Sequence, residues 1–205
     1  MQRSLGSAVF HNAMAEHIAV VRELAGQLEV LERIATEMTR AIQNGNKVLW
    51  CGNGGSAADS QHLAAELMGR FRRERCSLPS IALTTDTSIL TAVANDYGYE
   101  KVFQRQVEGL CVKGDVVVGI STSGNSRNVS TALETARRMG ALTVAFTGRT
   151  GGVLGNVANL TLRIPSDDTP RIQEAHILCG HMVCDFIELM VCERDQAGKQ
   201  IAVGS

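Results

Sequence analysis

The stretch KVLWCGNGGSAADSQHLAAEL, residues 47–67, decides the fold. Lys47–Cys51 is a short β-rich run. It enters the glycine-rich turn Gly52-Asn53-Gly54-Gly55-Ser56, and a helix begins directly after it. A strand that ends in such a turn and hands over to a helix is half of a parallel βαβ unit.

The rest of the chain repeats the rhythm. Further β-rich runs are Ser80–Thr84, Asp115–Ile120, Ala141–Phe146 and Ala158–Ile164, with helical stretches around 57–70, 87–110 and 126–139 between them. The runs are continuously apolar, as strands covered on both faces are. The alternation predicts an α/β three-layer sandwich, a five-stranded parallel sheet flanked by helices. Ahead of it, residues 8–44 carry Phe10, Met14, Ile18, Val21, Leu24, Leu28, Leu31, Ile34, Met38 and Ile42 at helical spacing. Gly26 divides them into two helices, and Asn44-Gly45-Asn46 stops the second. A final helix over about 170–193 follows Pro170, which suits a first helical turn. The predicted division is a helical segment, 1–44, packing on the domain or on a neighbouring subunit. A domain over 45–193 and a polar, frayed tail over 194–205 complete it.

Composition narrows the function. The net charge of -1 leaves no overall electrostatic footprint for nucleic acid or an anionic membrane. The basic run Arg70-Phe71-Arg72-Arg73-Glu74-Arg75 reads as a solvated helix end. The six cysteines form no C-x-x-C pair and several sit in apolar stretches, so they read as reduced core residues of a cytoplasmic protein. The first twenty residues fit no leader sequence. The apolar stretch 177–192, interrupted by His181, Asp185 and Glu188, reads as too short and too polar to cross a membrane.

Two loops carry the chemistry. Gly52–Ser56 follows the first strand. Ser121-Thr122-Ser123-Gly124-Asn125-Ser126 follows the third, and a helix follows each loop. Free N–H groups and the positive end of a helix dipole make such places anion sites. The hydroxyls of Ser121, Thr122, Ser123 and Ser126 can donate to phosphate oxygens without adding charge, which suits reversible binding of a phosphomonoester. Gly52-x-Gly54-x-x-Ala57 also satisfies a relaxed dinucleotide fingerprint. However, its acid, Asp86, comes about 30 residues on rather than ~20, and no G-x-x-x-x-G-K-[ST] is present. No nucleotide cofactor is expected.

His62 and Glu66, four residues apart, share one helix face. On the last helix Gln173 and Glu174 lie eight and seven residues before His181, two turns that return to roughly the same side. Two imidazoles with carboxylate or amide oxygens suit a borderline divalent metal such as zinc. Spacing leaves Gln173 and Glu174 both open, with Glu174 the better aligned. His11, His17 and His176 read as structural or exposed. A carboxylate and an imidazole beside a Lewis acid are the parts needed to move a carbonyl between C1 and C2 of a sugar through an enediolate.

The runs CGNGGSAADSQHLAAELMGRF, VANDYG, ISTSGNS and RIQEAHILCGH together resemble the phosphoheptose isomerases of the SIS-domain class, over roughly residues 45–192. The resemblance implies a homotetramer with active sites between subunits, converting sedoheptulose 7-phosphate to D-glycero-D-manno-heptose 7-phosphate for bacterial heptose and lipopolysaccharide precursors. It implies one zinc per subunit on His62, Glu66, Gln173 and His181, with Glu66 and His181 as the acid/base pair. It places substrate contacts at Asn53, Gly54, Gly55, Ser56, Glu66, Asn95, Asp96, Ser121, Thr122, Ser123, Ser126 and Gln173, and Arg70 near the sugar. Pro170 stands where some members carry aspartate. The alternatives are an isomerase of another sugar phosphate and a non-catalytic SIS protein that binds the replication initiator. Relatives of the second kind lack the Glu66 counterpart, carry Asn in place of His181 and Arg in place of Ser123.

Overall fold

The computed structural model describes the backbone of residues 5–203 and the side chains of residues 6–194. Five strands form one parallel sheet: β1 (Val48–Gly52), β2 (Ser80–Ala82), β3 (Val116–Ser121), β4 (Leu142–Thr147) and β5 (Leu160–Arg163), in the order β2-β1-β3-β4-β5. Val48–Gly52 of β1 runs in register with Val116–Ile120 of β3. Strand order reverses between these two neighbours, and ligands bind parallel sheets in the crevice beyond the carboxyl ends at such a point. Both loops singled out in the sequence open there.

Alternate strand residues feed two cores, because successive side chains point to opposite faces. Val48, Trp50, Val118, Ile120 and Phe146 pack under α2 (Leu28–Gln43), α3 (Gly55–Met68) and α8 (Thr169–Val203). Leu49, Cys51, Val117 and Ala145 pack under α5 (Val102–Leu110), α6 (Arg127–Arg138) and the short α7 (Leu154–Val157). The result is the expected three-layer sandwich. Ile34 and Met38 of α2 are fully buried, and each such side chain stabilises the fold by about 1.5–3 kcal/mol. Cys51, Cys111, Cys179 and Cys184 are buried free thiols.

The N-terminal segment divides as its periodicity predicts. Helix α1 (Leu5–Glu23) passes through a 3-10 turn, Leu24–Gln27, into α2. Two expectations are corrected. The helix expected over 87–110 is two, α4 (Thr87–Tyr97) and α5, because the chain turns at Gly98 with φ +88°. The last helix does not end near 193 but runs to Val203, through residues such as Gln196, Ala197, Lys199 and Gln200 that favour helix. The side chains of the expected tail beyond Arg194 lie outside the described residues.

The greater length of α8 also overturns the argument that it is too short for a membrane. Thr169–Arg194 has the length and mean hydropathy, 1.5, of a spanning helix. Its packing reads otherwise: Ile172, Ala175, Cys179, Val183, Cys184 and Ile187 are buried in the core with α2 and α3. That is the reason a polar-interrupted helix can be so apolar here.

Candidate active site

Helices α3 and α8 cross closely beside the sheet. At Gly180 a Cβ would lie 2.5 Å from the Leu63 side chain, so glycine permits this approach without displacing Leu63. His62 and His181, each next to one of these packing residues, are thereby brought together. Their Nε2 atoms are 2.9 Å apart, and Glu66 Oε1 lies 3.0 Å from His62 Nε2. The ligand atoms of His62, Glu66 and His181 all fall within 4.8 Å of one another.

This cluster fits a cation. Two facing imidazole nitrogens and an acceptor-only carboxylate oxygen crowd one point with few protons to share among them, and a metal ion would satisfy all three lone pairs. Burial, then the His62 charge, lower the pKa of His181 below the ordinary histidine value, against the pull of Glu66. A neutral ring is the form that can ligate.

On α8, Glu174 and Gln173 have different surroundings. Glu174 is committed elsewhere: it accepts from Arg171 Nε at 2.8 Å and is 2.8 Å from His17 Nδ1, so it ties α8 to α1. Spacing favoured Glu174 because it ignores such competition. The Gln173 amide instead lies against Gly55, filling the space a Cβ there would need. Gln173 thus joins the first loop to the helix that carries His181.

Both loops leave the helix that follows them without a side-chain cap. Gly54 is the N-cap of α3 and no side chain caps that helix. Ser126 precedes α6 without capping it; its hydroxyl turns instead to Ser121 at 2.8 Å. Ser121 and Ser56 are buried, whereas Ser123 and Gly54 are exposed and Thr122 is half-buried. Asn53 bonds reciprocally with Asn128, Nδ2 to Oδ1 at 2.9 Å and Oδ1 from Nδ2 at 2.8 Å. The Tyr99 hydroxyl donates to the same Asn53 Oδ1 at 3.2 Å. Asn95 and Asp96 sit apart on the exposed end of α4, bonded to each other at 2.9 Å.

With this geometry in place, the comparisons with known proteins are decisive. A SIS domain profile matches residues 10–148. A phosphoheptose isomerase of Aquifex aeolicus is 56% identical over 187 residues, 91% of this chain and 96% of the relative. The solved phosphoheptose isomerase of Neisseria gonorrhoeae is 44% identical with a TM-score of 0.84, covering 88% of this chain and 97% of that one. That of Francisella tularensis is 38% identical with a TM-score of 0.87, covering 92% and 100%. The chain belongs to the phosphoheptose isomerases of the SIS-domain family. It is an isomerase, and its substrate is a sugar phosphate.

Several features of this isomerase escaped the sequence. The basic run 70–75 is not simply a solvated helix end. Glu188 of α8, fully buried, accepts the backbone N–H groups of Phe71, Arg72 and Arg73 at 2.7, 2.8 and 2.8 Å. The Arg75 guanidinium, itself buried, lies 3.2 Å from it. Burial pushes the Glu188 carboxyl up, yet the three N–H donors and Arg75 outweigh it and hold the group below its ordinary value. Arg72 and Arg73 pair with Asp185; Arg70 stays exposed, 3.5 Å from Glu74. Asp185 and Glu188, read only as polar breaks in an apolar stretch, were the missed signal. Asp59, one turn before His62, is a second omission. Its Oδ2 is buried without a donor among the described residues, and burial raises the carboxyl to about 6 against the opposing His62 charge. The spacing of Asp59 and His62 could have shown it.

The other histidines sit as expected. His11 bonds to the Ser7 carbonyl at 2.6 Å. His176 is fully buried with Nε2 3.2 Å from the Thr147 carbonyl, and burial lowers its pKa to about 4.

Proposed function

We propose that this isomerase converts sedoheptulose 7-phosphate to D-glycero-D-manno-heptose 7-phosphate. The observation that carries the reading is the meeting of Glu66 and His181, from distant parts of the chain, on the helices that adjoin the first anion loop. His62 lies seven residues from Gly55, about 10 Å along α3.

In this reading the hydroxyls of Ser121, Thr122, Ser123 and Ser126 take the phosphate, helped by the uncapped amino end of α6. Asn53, Gly54, Gly55, Ser56 and Gln173 line the way to the reacting end. Glu66 Oε2 removes a proton from C1 of the open-chain ketose and returns it to C2, while Oε1 remains with His62. His181 exchanges a proton between O1 and O2, so that the carbonyl moves from C2 to C1. His62, Glu66, Gln173 and His181 would hold one zinc, which supplies Lewis-acid stabilisation of the enediolate charge.

The reading extends to a homotetramer in the cytoplasm that feeds bacterial heptose and lipopolysaccharide precursor synthesis. Two observations support the assembly. Helix α1 exposes Val9, Phe10 and Met14, each more than 60% accessible. Helix α4, which bears Asn95 and Asp96, has no buried residue. Packing between copies would cover the first and give the second a substrate to contact.

The test is incubation of the purified, zinc-loaded protein with sedoheptulose 7-phosphate, following the aldose by chromatography. Product is expected, and none from folded protein overturns the reading. Light scattering checks the tetramer.

A further inference from the structure

The Glu188 carboxylate is an unusual investment. A buried charge destabilises a fold unless it is paired and hydrogen-bonded, and this one is met by three consecutive backbone N–H groups and a buried guanidinium. What it holds is the irregular segment between α3 and β2, and both ends of that segment touch the reactive pair. At one end the Phe71 ring stacks on the His181 imidazole, centroids 5.3 Å apart and planes 27° from parallel. At the other, Arg75 Nη2 donates to the backbone carbonyl of Glu66 at 2.9 Å. His181 and Glu188 lie seven residues apart on α8, two turns along one face. The helix that presents the imidazole therefore also carries the fastener for the ring that packs on it.

We infer that Glu188 is a positioning residue for the reactive pair: by locking residues 71–75 it fixes the Phe71 ring against His181 and holds Arg75 on the last turn of α3, at Glu66. The consequence for turnover rests on the function proposed above; the orientation of the imidazole does not. An imidazole that must meet both His62 and a substrate has little tolerance for rotation, and supporting groups around metal-ligating histidines are typically worth about 10–100-fold in affinity or activity. A stacked ring restricts that rotation without adding a competing donor.

The experiment compares wild type with Glu188→Gln and Phe71→Leu. The first readout is the His181 imidazole 1H and 13C resonances of the metal-free protein, which carry the ring-current shift of Phe71. In folded Glu188→Gln this shift should be lost. The second readout is steady-state kinetics, where kcat should fall about 10-fold with KM within about twofold. Unmoved His181 resonances in folded Glu188→Gln overturn the proposal, as does unchanged kcat. Should Glu188→Gln fail to fold, Phe71→Leu, which keeps the carboxylate clamp, decides: a selective fall in kcat supports the inference and wild-type kinetics overturns it. Should wild type show no turnover of sedoheptulose 7-phosphate, the proposed function fails, and the resonances alone still decide the positioning role.

Discussion

The two ends of the sheet use the same residue types to opposite ends. At the amino ends, Asp115 is fully buried and both oxygens are engaged. Oδ1 accepts from Lys47 N at 3.0 Å and Asn46 Nδ2 at 3.3 Å; Oδ2 accepts from Lys47 Nζ at 2.7 Å and Val112 N at 2.8 Å. Burial would raise this carboxyl, but the Lys47 and backbone donors bring it below its ordinary value. Beyond the carboxyl ends, Glu66 meets, among the described residues, His62 through one oxygen, and His181 meets His62 and a ring face. A carboxylate with every lone pair taken is a fastener. One with a lone pair to spare beside an imidazole can accept a proton.

The largest expected effect tests that contrast directly. Glu66→Gln keeps the shape and removes the base, so kcat should fall about 100- to 10,000-fold with the melting temperature unchanged. Near-normal kcat in that variant would dissolve the distinction from one side. Asp115→Ala attacks from the other. It strands Lys47 and two backbone N–H groups, and removing one partner of a buried ion pair costs about 3–5 kcal/mol. Denaturant unfolding should show that loss, while kcat per folded molecule stays at the wild-type value. A loss of kcat without a loss of stability would reverse the roles given to the two ends.

Two histidines on one helix sharpen the comparison further. His176, five residues before His181, is sealed in the core and neutral. Its pKa is about 4 in the folded chain against 6.5 in the unfolded one. Above pH 6.5 both states are neutral and the stability is fully present. As pH falls below 6.5 the unfolded chain takes up a proton that the folded chain refuses, so stability drops until about pH 4. At ~1.4 kcal/mol per pH unit the window is worth up to about 3 kcal/mol. His176→Gln, which keeps a donor for the Thr147 carbonyl, should unfold with a weaker pH dependence between 6.5 and 4. Parallel pH profiles for wild type and variant would show that His176 does not titrate this way.

How much of this was legible depends on the range of the interaction. Periodicity and strand composition are local, and they revealed the five strands, the divided N-terminal segment and both loops. His62 and Glu66 share a turn of helix, so spacing sufficed to pair them. Gln173 against Glu174 could not be read locally, because Arg171 and His17 claim Glu174 and His17 comes from α1, 157 residues away. The Arg75–Glu188 pair was invisible for the same reason. A run of arginines announces charge, and only the fold shows that a carboxylate more than a hundred residues on has claimed one of them. The break at Gly98 was local and available, but the apolar spacing ran through it.

The smallest effect concerns the crevice between β1 and β3, where the reciprocal Asn53–Asn128 pair joins the first loop to the first turn of α6, directly after the second loop. Asn128 is buried, and its amide uses both ends on Asn53, whose side chain also accepts from the Tyr99 hydroxyl. Asn128→Ala removes two hydrogen bonds of about 1 kcal/mol each and frees the Asn53 side chain to turn. The loops would then have to be ordered by the substrate itself, at the expense of affinity. KM for the sugar phosphate should rise about 10-fold, inhibition by inorganic phosphate should weaken in parallel, and kcat should change less than about twofold. That split separates loops that bind from helices that react. A fall in kcat as deep as that of Glu66→Gln would instead make the amide pair part of the reacting centre, and the division between the two would have to be redrawn.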